Sequence, residues 1–225
     1  MNILTLFWDW LSQPAQWSGP DSIPARFGEH TYYSALSLLI AAAIGIPFGL
    51  LTGHTGRGGF IAATLANFAR ALPTVGVVML VVLAVGIGLQ PVVAAMVALA
   101  IPPILVNTYE GIRSVDAQLK DAAQGMGMTG PEVLRKVEIP VALPLILLGL
   151  RTAAIQIVST ATIAAYVGMG GLGRFIFDGL ARQDYELVVG GAGCVVLLAV
   201  IVTLIFLVLR KTVVAKGVLH RESTS

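Results

Sequence analysis

Five stretches of this chain are too long and too apolar to have water as their solvent: roughly residues 32–52, 68–88, 91–108, 141–167 and 186–209. A bilayer core about 30 Å thick is crossed by about twenty apolar residues in a helix, and inside it every backbone N–H and C=O must be satisfied within the segment. The expected fold is therefore all-α, a polytopic membrane protein with five transmembrane helices. Composition agrees. Charged residues are 12% of 225, hydrophobic ones 56%, and the mean hydropathy is +0.87, whereas soluble domains carry about a quarter charged residues. The net charge of +2 is scattered along the chain, without the basic stripe that nucleic-acid binding requires. Cys194 is alone in an apolar run, which excludes an internal disulfide and reads as a small core residue.

Three regions follow: an N-terminal outer or interfacial segment at 1–29, a membrane domain at 30–210, and a tail at 211–225. The first carries Asp9 and Asp21 but no Lys, so it lacks the basic start of a signal peptide. Phe7, Trp8, Trp10 and Trp17 suit the headgroup layer, and the segment reads as a loosely ordered tail with one short interfacial helix. Orientation comes from the basic residues between crossings. With the N-terminus outside, the inner segments hold Arg57, Arg113, Lys120, Arg135, Lys136, Arg210, Lys211, Lys216 and Arg221, against Arg26, Arg174 and Arg182 outside. The Lys and Arg excess belongs on the cytoplasmic side, so the expectation is N-terminus out and C-terminus in. Residues 88–90, between the second and third crossings, are uncharged.

Pro47, Pro73, Pro102 and Pro103 fall inside these crossings. Each removes a backbone donor and forces a kink or another partner. Gly45, Gly49 and Gly53 recur every fourth residue and make a flat face for close helix contact. Transport proteins often have such breaks; packing alone also accounts for them.

The longest inner loop, 109–140, holds the most information. Ala122 and Ala123 favour helix, and Gly125 and Gly127 end it. Thr129 with Glu132 three residues on is a capping-box pattern, and Pro131 suits a first turn. Val133, Leu134 and Val137 then recur on one side, and Pro140 is expected to close the helix at the membrane surface. The product is a compact helical elbow whose apolar stripe suits a partner's groove.

Here the chain resembles the permeases of ATP-binding-cassette importers. Their cytoplasmic loop reads Glu-Ala-Ala, three residues, Gly, nine residues, then Ile-x-Leu-Pro. Asp121, Ala122, Ala123, Gly127, Val137, Ile139 and Pro140 fall at that spacing, with Asp for Glu, Val for Ile and Ile for Leu. The resemblance implies a type I importer permease whose coupling helix docks into a cytoplasmic ATPase. Over about residues 28–217 the chain is similar to osmoprotectant permeases. Ala71-Leu72-Pro73-Thr74, Asn107-Thr108-Tyr109-Glu110-Gly111-Ile112, Gly125-Met126-Gly127-Met128-Thr129-Gly130, Gly149-Leu150-Arg151-Thr152-Ala153 and Gly168-Met169-Gly170-Gly171-Leu172-Gly173 carry that likeness. It implies uptake of glycine betaine, choline or carnitine across a bacterial inner membrane. It also implies an ATPase, a substrate-binding protein and a second permease subunit, identical or sister, as partners. Methionine- and nitrate-type permeases share the architecture and remain alternatives. The implied mechanism is alternating access, with the elbow moving crossings three and four.

The chain has no G-x-x-x-x-G-K-[ST] for a nucleotide's phosphates. ATP and magnesium are thus expected on the partner ATPase, with no cofactor on this chain and no enzymatic activity of its own. His30, His54 and His220 are far apart and make a poor metal site. Gly168, Gly170 and Gly173 fit G-x-G-x-x-G, but a long apolar helix precedes them where a nucleotide fold needs a strand; they read as a glycine turn of an outer gate. Arg151, ten residues into the fourth crossing, costs about 2.5–3.5 kcal/mol if unpaired and is expected to meet carbonyls or a carboxylate such as Glu110. Arg70 sits near the inner end of the second crossing and can snorkel. Asn107, Gln156, Ser159, Thr160, Thr162 and Tyr166 are placed to line a path, where an aromatic face attracts a cationic headgroup; residues of these types are more often helix–helix hydrogen bonds than ligand contacts. An ion-coupled carrier or channel would carry acidic residues at mid-membrane, and none is evident. A membrane enzyme would need His, Asp or Glu clustered at one face.

Overall fold

A computed structural model describes residues 2–71 and 73–214, with backbone alone at residues 61, 63, 66 and 68–70. The snorkelling expected of Arg70, and the tail residues Lys216, His220 and Arg221, lie outside this description, as does Leu72. The described regular structure is helical throughout. It comprises α1 (Ile3–Leu11), α2 (Ile23–Thr55), α3 (Gly59–Ala71), α4 (Thr74–Val85), α5 (Leu89–Arg113), α6 (Ala117–Gly125) and α7 (Gly130–Val133). A π turn (Leu134–Glu138) leads into α8 (Ile139–Ala164), followed by α9 (Gly173–Arg182) and α10 (Tyr185–Val213). Short 3-10 turns occupy Pro14–Trp17 and Ala165–Val167.

Four described helices, not five, are long and apolar enough to cross a membrane: α2, α5, the continuous run Gly130–Val167 that contains α8, and α10. The expected crossing at 68–88 is interrupted. Pro73 is extended (φ −68°, ψ 115°), and Gly86 at φ 103° stops the next helix. Proline lacks the N–H that would continue the ladder and pushes the residue before it out of the helical region. The remainder, α4, has 12 residues and reaches only about 18 Å at 1.5 Å per residue. The sequence supplied enough apolar residues for a crossing; the proline divides them.

The chain forms two compact units, Met1–Ile40 with Leu72–Ala100 and Ala154–Val202, and Ala41–Ala71 with Ile101–Ala153 and Thr203–Ser225. In the first, Trp10, Ile23, Val158, Leu172, Phe175, Cys194 and Leu198 form a core. Trp10 meets Phe175 edge-on at 5.3 Å, and only a glycine at 190 leaves room for its ring, since a Cβ there would lie 2.2 Å from it. The expected loose tail is therefore docked. Trp10 is fully buried, while Trp8 and Trp17 remain exposed as headgroup-layer residues should be.

In the second unit the four-residue glycine repeat performs the packing that its spacing predicts. A Cβ at Gly45, Gly49 or Gly53 would fall 2.9, 2.6 or 2.7 Å from Ile104, Thr108 or Ile112 respectively, three residues that themselves recur every fourth position along α5. Gly111 against Ala142 and Gly149 against Asn107 extend the same seam to α8. Lipid tails are as apolar as leucine, so close backbone approach rather than hydrophobic exclusion holds such helices together. Ile112, Ala142 and Ile146 form the buried core here, with Leu134 and Leu150 packed against it.

Candidate functional site

The elbow begins at Asp116, whose side chain accepts from Gln118 N at 2.9 Å and caps α6. Gly127 reverses the chain at φ +87°, a left-handed conformation that costs glycine least. There Gly127 N and Met128 N donate to Gln124 O and Ala123 O at 2.9 and 3.2 Å. The predicted cap of α7 forms: Thr129 N and Oγ1 both donate to Glu132 Oε2 at 3.0 Å, and Lys136 Nζ donates to Glu132 Oε1 at 2.9 Å.

Two expectations about this elbow are corrected. Pro140 does not close the helix: the helical run continues from the π turn through Pro140 into α8, and the wider π turn lies just where the proline removes one N–H from the ladder. The apolar stripe is not presented outward either. Val133 is buried and Leu134 packs on the core of its own unit. The outward face belongs to α6 and the turn after it, with Asp121, Ala122 and Gln124 exposed and Met126 73% exposed. Ala123 is buried, Val137 and Ile139 half-buried, and Pro140 exposed.

Glu138 was read as the unspecified position of the loop motif, yet it is the best-connected residue of the elbow. Its side chain is 2% exposed. His54 Nδ1, at the end of α2, donates to its Oε2 at 2.6 Å, and Lys120 Nζ, on α6, approaches its Oε1 at 2.9 Å. The same Lys120 ammonium donates to Ile112 O near the end of α5 at 3.2 Å. A buried carboxylate persists only when its charge is matched and its lone pairs are used, and both conditions are met. One acid thus ties α2, α5, α6 and the π turn. A signal was available: position 138 is four residues after Leu134, so an acid stood on the stripe that ought to be apolar.

The charges of 132–138 keep the elbow outside the apolar part of its helix, so Glu132 titrates in water. The Thr129 backbone N–H, then the Lys136 ammonium and the Thr129 hydroxyl, hold its carboxyl down at about 2 from an ordinary 4.5. A depressed acid stabilises above its unfolded value and loses that contribution as pH falls through its folded value. The cap should therefore weaken progressively from about pH 4.5 toward pH 2. In Glu132→Gln this acid-side weakening should vanish, with a poorer cap at neutral pH. Hydrogen-exchange protection of amides 129–133 checks this; identical acid profiles for both proteins would refute it.

The path residues divide. Asn107 belongs to the second unit, where its Nδ2 donates to Pro103 O at 2.7 Å. Gln156, Ser159, Thr160, Thr162 and Tyr166 belong to the first. Thr160 is buried and its hydroxyl is satisfied by Gln156 O at 2.8 Å, so it faces packing. Ser159 and Tyr166 are exposed, seven residues apart on one face of the helical run, and Gln156 is half-buried. Thr162 is half-buried, with its Oγ1 3.4 Å from Val158 O. Tyr166 stacks obliquely on Phe177 at 5.3 Å. Arg151 does not find its expected carboxylate: no ion pair joins it to Glu110 among the described residues, and its Nε is buried without a hydrogen-bond partner.

The glycine turn after α8 has a packing explanation. Gly171 N donates to Glu29 Oε2 at 2.7 Å, and Arg26 Nη1 donates to the same oxygen at 2.9 Å. Leu172 N donates to His30 Nδ1 at 3.2 Å while His30 Nε2 faces Val158 O at 3.0 Å, which places the ring proton on Nε2. A Cβ at Gly170 would sit 2.1 Å from Glu29 Oε2, and one at Gly173 2.1 Å from Thr162 O. The Glu29 carboxylate from α2 takes the space beside Gly170, and the Thr162 carbonyl of α8 excludes any side chain at Gly173. No pattern in the sequence linked Glu29 or His30 to residues 142 positions away.

Residues 45–215 match the family described as the binding-protein-dependent transport system inner membrane component. The chain is 35% identical over 200 residues to the glycine betaine/carnitine/choline transport system permease protein OpuCB of Bacillus subtilis (strain 168), covering 89% of this chain and 92% of that protein. It is 33% identical over 174 residues to the carnitine transport permease protein OpuCB of Listeria monocytogenes, covering 77% and 80%. Its fold is similar to that of a solved MetNI methionine ABC transporter in an inward-facing conformation, with TM-score 0.76 at 22% identity over 91% of this chain and 100% of that one.

Proposed function

The chain belongs to the inner-membrane components of binding-protein-dependent transport systems, and on that premise we propose that it is the permease subunit of an ATP-driven importer of osmoprotectants such as glycine betaine, choline or carnitine. It is the non-catalytic, multi-pass component of such a system. Its partners in this reading are a cytoplasmic ATPase, an extracytoplasmic binding protein and a second permease subunit. The N-terminus lies outside and the C-terminus inside, which puts the Lys- and Arg-rich elbow on the cytoplasmic side.

The observation that carries the reading is the elbow: a capped turn-and-helix at the motif's spacing, with Asp121, Gln124 and Met126 outward and Glu138 fastening its base. A rigid knob of this kind can convey a neighbour's closure to the spanning helices, and α2 joins those it reaches through His54. Ser159 and Tyr166 are the path residues best placed to meet a solute.

Co-purification in mild detergent and an uptake panel of betaine, choline, carnitine and methionine test the assignment. A chain that moves solute with no ATPase present would end it. The docking face has its own test. Asp121→Arg combined with Met126→Glu puts mismatched charge on the exposed face and leaves the buried contacts alone. Uptake should drop at least tenfold, the scale of losing an interface anchor, while membrane insertion is unchanged. Normal uptake by this variant would remove α6 from the contact.

A further inference from the structure

We propose that a cavity of about 490 Å³ in the first unit is a binding site for a small zwitterionic solute, one carrying both a carboxylate and a positively charged nitrogen. Residues from the segment after α1, from α9 and from the start of α10 line it. Six of them are charged: Arg26, Arg174 and Arg182 against Asp21, Asp178 and Asp184. Four of these are matched within the fold. Arg26 pairs with Asp21 and, at 2.9 Å, with Glu29, and Arg174 Nη2 meets Asp178 Oδ1 at 3.0 Å. The other two are not. Arg182 is exposed and has neither an ion pair nor a hydrogen bond among the described residues. Asp184 Oδ1 accepts from Leu187 N at 3.1 Å, capping α10, while its Oδ2 has no partner among the described residues.

The turn between them brings both charges to one place. Gln183 is the one described non-glycine residue at positive φ, 57°, a conformation that side chains adopt only at a cost. It ends α9 with two backbone bonds, Gln183 N to Leu180 O at 3.3 Å and Asp184 N to Gly179 O at 2.8 Å. Tyr185 then begins α10. Arg182 and Asp184 thus belong to two different helix ends and still line the same cavity.

A solute with a single charge would satisfy one of these side chains and be repelled by the other. A zwitterion satisfies both. Its carboxylate accepts charge-assisted hydrogen bonds from the guanidinium fork, and its positive nitrogen lies against the Asp184 carboxylate. The volume falls within the range of about 300–1,000 Å³ typical of small-molecule sites. Residues 15–21 of the lining precede residue 45, where the family match begins, so part of the cavity comes from outside the matched region. On the import reading this cavity opens on the outer face, where it gathers solute beside the spanning helices. The binding itself rests on the charges of this chain and needs neither ATPase nor uptake.

The test uses the purified transporter with whatever subunits accompany it, washed free of binding protein and without nucleotide. Saturation-transfer NMR titrations compare glycine betaine, which has both charges, with choline and acetate, which have one each. Betaine is expected to bind at least about tenfold more tightly than either, the scale of one charge-assisted hydrogen bond. Arg182→Gln should weaken betaine by a similar factor. Asp184→Asn keeps the cap, because an asparagine oxygen accepts from Leu187 N equally well, and should weaken betaine about threefold, as for an exposed charge pair. Both substitutions are at exposed positions, so folding does not hinge on them. Equal binding of choline or acetate, or betaine binding unchanged in both variants, would overturn the site. A cross-link from position 182 to the binding protein with betaine absent would give the cavity to a protein partner and end the solute reading. Betaine binding that persists in a transporter without uptake would support the site and count only against the import reading.

Discussion

Replacing Glu138 with alanine should release the elbow from the helices it is tied to. The substitution leaves the Lys120 ammonium and the His54 ring facing each other without their shared acid. Their side chains are 20% and 27% exposed, so water screens them only in part. Removing one partner of a buried pair costs about 3–5 kcal/mol, and the low end of that range fits the partial exposure here. Proteolysis between residues 113 and 140 in the purified protein should accelerate, and thermal unfolding should come earlier. Glu138→Gln keeps shape and one hydrogen bond, so its loss should be smaller. The double substitution Lys120→Gln with Glu138→Gln removes both charges and should recover part of the stability. If Glu138→Ala unfolds and digests like the parent, the network is ornamental and the elbow is held by the packing of Val133 and Leu134 alone.

Gly173→Ala should be more disruptive than any other single added methyl group in the described fold. Its Cβ would stand 2.1 Å from Thr162 O and 2.9 Å from Thr162 C, and these are backbone atoms of the helix that leads into the turn. A flexible side chain could swing aside; a carbonyl in a helix can move only with its neighbours. Overpacking of cores costs about 1–3 kcal/mol and more when backbone must shift, so little folded protein is expected in the membrane. Gly28→Ala is the control, because nothing lies within 4 Å of a Cβ there, and alanine in a helix is worth about 1 kcal/mol over glycine. Equal yields of the two variants would show that the turn has more freedom than its contacts imply.

These two residues mark where reading along the chain succeeds and where it stops. The glycine repeat at 45, 49 and 53 predicted a close helix contact, and the contact is there. The capping box at Thr129 and Glu132 formed as its spacing required. Both are periodic or short-range features, governed by the geometry of a single helix. The crossing at 68–88 failed because summed hydropathy counted residues on either side of Pro73 as one helix. The elbow's stripe was identified at the correct positions but assigned to a partner, when its own α5 and α8 cover it. Arg151 is expected to meet carbonyls or a carboxylate, and no local pattern could say that its Nε would be buried without a hydrogen-bond partner.

Membrane solvent, helical class and the position of the elbow were determined by the order of residues alone, because hydropathy, helical period and cap chemistry act over a few residues at a time. Which face of each helix is covered was decided only by the tertiary structure, as was the seating of Glu138 on a histidine 84 residues away and the use of glycines to admit a clasp from α2. Those choices depend on distant segments competing for the same buried surface, and the free energy of that competition belongs to the assembled helices rather than to any stretch of chain.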